Sequence, residues 1–102
     1  MSNVIKEVAS ILMYKGPTMN ELIEQIAREG NKFNIVTEGS TIIIDATSIQ
    51  PYNLLIRDKY YYNSDEELIR HILVLDNKEM VLFDKFSEAK ALIDSLEIKK
   101  AI

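Results

Sequence analysis

The chain has 102 residues and a mass of 11.7 kDa, with 47% hydrophobic residues, 27% charged residues and a formal net charge of −4. That length fits one domain, and the apolar content is that of a folded chain, not a disordered one. The absence of Cys excludes disulfides, thiolate metal sites and cysteine nucleophiles. A pI near 5.0 gives no global basic field for nucleic acid.

Val4, Ile5, Val8, Ile11 and Leu12 recur at helical spacing over residues 4–14, and Gly16-Pro17 ends that segment. Lys6 and Glu7 break its apolar character, which argues against a signal peptide. Thr18-Met19-Asn20-Glu21 has the spacing of a capping box, and Leu22, Ile23, Ile26 and Ala27 supply the stripe of a second helix stopped at Gly30. Phe33–Thr37 and Thr41–Asp45 flank Glu38-Gly39-Ser40 and predict a β-hairpin. Ser48 and Pro51 suggest a short helix to about Arg57.

The second half presents the same order of signals. Ser64-Asp65-Glu66-Glu67 is a second capping box, followed by Leu68 and Ile69. Ile72–Leu75 and Met80–Phe83 predict strands around a turn at Asp76-Asn77-Lys78, and Ser87 is placed to cap a helix carrying Ala91, Leu92, Ile93 and Leu96. The apolar runs are far too short for a membrane span of about 20 residues. Thr18-x-x-Glu21-Leu22-Ile23 matches Ser64-x-x-Glu67-Leu68-Ile69, and Ile42-Ile43-Ile44-Asp45-x-x-Ser48 matches Val81-Leu82-Phe83-Asp84-x-x-Ser87. Two signatures in one order suggest an internal duplication. The expected fold is therefore α+β, a single compact domain over 1–102 with antiparallel strands. It comprises an N-terminal helix at 1–16 and two helix–hairpin–helix units at 18–58 and 64–102, the second ending in the C-terminal helix. Neither unit alone buries enough apolar surface to be stable, so the two would pack about an approximate two-fold axis and leave a groove.

Asp45 and Asp84 occupy matching places, so such an axis could bring two carboxylates together. Neither is followed by the Gly turn of an aspartic-protease site, and hydrogen bonding at a strand end accounts for both. His71, the one histidine, has no local motif that would make it a base or a metal ligand. No catalytic residue, metal site or cofactor is assigned, and the chain reads as a non-enzyme. Tyr60-Tyr61-Tyr62 is the most unusual local feature. Alternate residues of an extended segment face opposite ways, so at least one tyrosine should face outward, where its apolar body and polar tip suit an interface. Tyr52, Tyr60, Tyr61 and Tyr62 are the candidate binding residues. The expected function is a protein or peptide interaction module using the groove or an exposed strand edge, with a homodimer open and no membrane partner. A winged-helix-like nucleic-acid binder using Lys6, Lys15, Lys59 and the tail at Lys99-Lys100 is the alternative. It is disfavoured by Glu21, Glu24 and Glu29 on the helix before the hairpin.

The Ile-rich run Thr41–Ile44, the Tyr60–Tyr62 cluster, Glu/Lys surfaces and absent Cys give the chain the style of small proteins of filamentous viruses of thermoacidophilic archaea. In that style it resembles those of the lipothrixviruses. Abundant Glu and Lys suit a hot environment, whereas seven Asn residues do not. The resemblance implies a cytoplasmic setting, in the host cell, and carries over no functional residues.

Overall fold

The computed structural model describes the backbone of residues 2–101 and the side chains of residues 3–95. Two helices, α1 (Ser2–Met13) and α2 (Met19–Arg28), precede five strands. These are β1 (Lys32–Glu38), β2 (Thr41–Gln50), β3 (Leu54–Tyr62), β4 (Leu68–Leu75) and β5 (Lys78–Asp84), and α3 (Lys85–Ala101) follows. A single 3₁₀ turn, Pro51–Asn53, joins β2 to β3. The strands form one antiparallel meander in the order β1-β2-β3-β4-β5. Short hairpin connections are enough for such a sheet, because each strand lies beside its neighbour in sequence.

Alternation along β2 sets the two faces. Ile42, Ile44 and Ala46 point toward α2, and Ile44 and Ala46 pack with Leu22 and Ile26 of the helix, with Tyr62 of β3 and with Leu68 of β4. Leu22 and Ile26 are one helical turn apart, and the Thr18 hydroxyl accepts from the Glu21 amide at 3.1 Å, as the capping box predicts. Gly30, with φ +76, ends the helix as expected. The opposite face of the sheet carries ion pairs between strands: Arg57 with Asp45, and Arg70 with Asp84 at 3.0 Å.

Two features tie the helices to the sheet. Lys15 O accepts from the Leu68 amide at 2.9 Å, and the fully buried Tyr62 donates its hydroxyl to Pro17 O at 2.7 Å. Tyr14 meets Phe83 edge-on with ring centroids 5.5 Å apart. Lys85, at the start of α3, is 4% exposed and lies 3.8 Å from Glu67. Beyond these anchors α1 packs on α3 instead of on the sheet. The radius of gyration is accordingly 16.4 Å, against roughly 13 Å for a compact domain of this length. Among the described residues, no helix is long and apolar enough to cross a membrane.

The expected pair of helix–hairpin–helix units is not what the chain forms. Residues 18–58 run helix, strand, strand, 3₁₀ turn, strand, whereas residues 64–97 run strand, strand, helix. The second capping box is the cause. The Asn63 side chain accepts from the amides of Asp65 and Glu67, and the Asn63 amide donates to Glu67 O. That closes Ser64–Glu67 into the β3–β4 loop, and Leu68 opens a strand. The helix expected from Ser48 is likewise replaced by β2 continuing to Gln50, one 3₁₀ turn and β3. At α3 it is Asp84 that caps, accepting from the Ser87 amide at 3.1 Å.

Candidate interaction surfaces

The four tyrosines do not form one cluster. Tyr60, Tyr61 and Tyr62 lie within β3, paired with Ile44, Ile43 and Ile42 of β2, so their side chains alternate between the two faces. Tyr62 fills the core and leaves no surface for a partner. Tyr60 is half-buried on the α2 face and stacks on His71 of β4 at 4.2 Å between centroids. Tyr61 is on the other face, with the Arg70 guanidinium 5.5 Å from its ring centre. Tyr52 stands fully exposed in the 3₁₀ turn with φ +67. Burial pushes the Tyr60 hydroxyl up to about 12, helped by the charges of Asp58 and Glu29. Burial does the same to Tyr62, also to about 12.

The groove expected between two units has no counterpart, because the units do not exist. Asp45 and Asp84 are on β2 and β5, three strand spacings apart or about 14 Å, each held by its own arginine. The hydrogen bond and charge of Asp45 raise the Arg57 guanidinium above its usual value. For Asp84, burial pulls the carboxyl upward, but the Ser87 amide and Arg70 outweigh it and hold it below the usual range. His71 Nε2 is 2.8 Å from Asp58 Oδ1. This pair, closed over by Tyr60, links β3 to β4 within the sheet. Among the described residues, no three His, Asp or Glu side chains gather as for a metal ion.

The sheet has two open edges, β1 and β5. At one, β5 exposes Met80, Val81 and Leu82 by 60%, 59% and 47%. Its register against β4 jumps between His71 and Ile72, leaving Leu82 as an extra residue, so this edge is bulged. Bulges twist an edge away from further pairing. At the other edge, β1 pairs with β2 from Lys32–Thr47 through Glu38–Thr41 without a break. Its seven residues contain no Pro and no charge between the two ends. Ile35 and Val36, on opposite faces, are 53% and 46% exposed, and only Phe33 is half-buried. Sequence reasoning recognised the strand but not its place at an edge, which depends on β2 pairing with β3 on its other side.

No known protein family matches the chain, and neither a curated protein nor a solved structure matches it.

Proposed function

We propose that the protein is a non-enzymatic interaction module that binds another polypeptide by strand addition at β1. The observation that carries this reading is the edge itself: seven residues in unbroken register, paired on one side only, with exposed apolar side chains on both faces. An added strand would gain main-chain hydrogen bonds from the amides and carbonyls on the open side of β1. It would also cover Ile35 on one face and Val36 on the other. Soluble proteins normally blunt such edges with central charges, Pro or bulges, and β5 shows one of those devices where β1 shows none. Tyr52, Tyr60 and Tyr61, the candidate tyrosines that keep exposed surface, lie on β3 and the turn before it, away from this edge. They are not needed for the pairing.

The test is affinity capture with the wild-type chain and with Ile35→Lys/Val36→Lys, with and without nuclease and at two salt concentrations. A polypeptide retained by the wild type after nuclease treatment and lost with the double variant supports strand addition. Retention that vanishes with nuclease or moderate salt would overturn it in favour of nucleic acid.

A further inference from the structure

We infer that the strand added at β1 is the β1 of a second copy of this chain, giving a two-fold dimer with one continuous ten-stranded sheet. This inference rests on the strand-addition reading and names its partner. The charge pattern of Lys32-Phe33-Asn34-Ile35-Val36-Thr37-Glu38 is complementary to itself. An antiparallel pairing about a two-fold axis at Ile35 sets Lys32 opposite Glu38 of the second copy, and Glu38 opposite its Lys32. Phe33 then meets Thr37, Asn34 meets Val36, and Ile35 meets its own equivalent.

The faces agree with this register. Ile35 pairs with Ile44 of β2, which packs on α2, so Phe33, Ile35 and Thr37 share the helix-covered face. Lys32, Asn34, Val36 and Glu38 share the other. A two-fold axis perpendicular to the sheet keeps each face continuous across the seam, and opposed residues then have Cβ atoms about 5 Å apart. Both charges are available: among the described residues, neither Lys32 nor Glu38 makes an ion pair within the chain. Sliding the second strand by two residues would lose two of the seven pairs and leave Lys32 or Glu38 unopposed, according to the direction. The register centred on Ile35 therefore uses the whole edge and matches both ends.

The bulge also explains why this pairing closes. A β1 edge that joined β5 of the next copy would be a heterologous contact and would propagate into a fibre. The extra residue at Leu82 breaks the regular edge that such a contact needs. Self-pairing through β1 uses up the regular edge and leaves only bulged ones outside.

The test is sedimentation or light-scattering mass over a broad range of concentration, using the full chain and the charge variants Lys32→Glu and Glu38→Lys. The wild type is expected to pass from monomer to dimer, with no larger species. Each single variant sets like charges opposite at both ends and should weaken dimerisation by about tenfold or more. Mixing the two single variants restores opposite charges at both ends, so the mixture should dimerise about as well as the wild type. The double variant Lys32→Glu/Glu38→Lys should do the same alone. A wild type that stays monomeric overturns self-pairing, as does a dimer indifferent to these charges or one that the mixture does not rescue. A monomer that still retains another polypeptide through Ile35 and Val36 separates the two readings: it sinks the dimer and leaves strand addition standing.

Discussion

Gly16 offers a direct check on how the helices are fastened to the sheet, because two penalties meet at one position. Its φ is +70, and a Cβ added there would lie 2.8 Å from Leu68 Cβ and 3.1 Å from Leu68 Cδ2. Leu68 cannot easily retreat, since it is 6% exposed in the core and its amide donates to Lys15 O. Gly39, in the turn between β1 and β2, has φ +61 but nothing within 4 Å of the same Cβ position. Gly39→Ala therefore reports the left-handed backbone cost alone, about 1 kcal/mol. Gly16→Ala adds overpacking against Leu68, typically about 1–3 kcal/mol more. Its total should be about 2–4 kcal/mol, a large part of the stability of a domain this size. Urea unfolding of the wild type and both variants reads the difference, provided the slopes agree. Equal losses for Gly16→Ala and Gly39→Ala would refute the close approach of the 14–18 segment to β4.

Tyr62→Phe removes the hydroxyl that donates to Pro17 O and should cost about 1 kcal/mol or somewhat more, whereas Tyr61→Phe should be near neutral; both are read by the same unfolding curves. Both Tyr60 and Tyr62 are held protonated to about 12, so the folded state keeps protons that the unfolded chain releases from about pH 10. Stability is thus full below pH 10 and falls as pH rises toward 12. A tyrosinate titration by ultraviolet absorbance should show Tyr60 and Tyr62 ionising late. Asp84→Ala should cost about 1 kcal/mol through the lost cap on α3. The folded-state Asp84 carboxyl is lowered, so its contribution is present above the unfolded carboxylate value and fades as pH falls through the folded one. Acid unfolding of Asp84→Asn should accordingly show a smaller loss on acidification than the wild type.

Local chemistry made part of this fold legible in the sequence. The Thr18 cap, the Gly30 stop, the Gly39 turn and the β-branched run Thr41–Asp45 each act within a few residues, and each appears in the structure. The strands expected at Ile72–Leu75 and Met80–Phe83 also form, but the Ser64 box misled because its signal was equally local. Ser64-x-x-Glu67 satisfies the spacing of a capping box, yet Asn63 offers the same amides a competing acceptor, and the run Leu68–Leu75 pairs with β3 on one side and β5 on the other. Pairing between strands is settled by partners, not by spacing. Tyr60–Tyr62, expected between the units with at least one ring outward, are alternating core-facing and outward positions of β3, an inner strand of the sheet. The candidate site was legible only as a type, an exposed strand edge. Which edge it is follows from the break in register at Leu82 and from the neighbours of β1, neither of which the sequence displays.

The most direct test of self-pairing at β1 is amide hydrogen exchange of the wild-type chain, dilute and concentrated, resolved residue by residue. Self-pairing predicts that the outward-facing amides of Lys32–Glu38 exchange freely when dilute and become protected when concentrated, while β5 stays unchanged. Unaltered exchange along β1, with new protection at β5 or on α1 and α3, would contradict it.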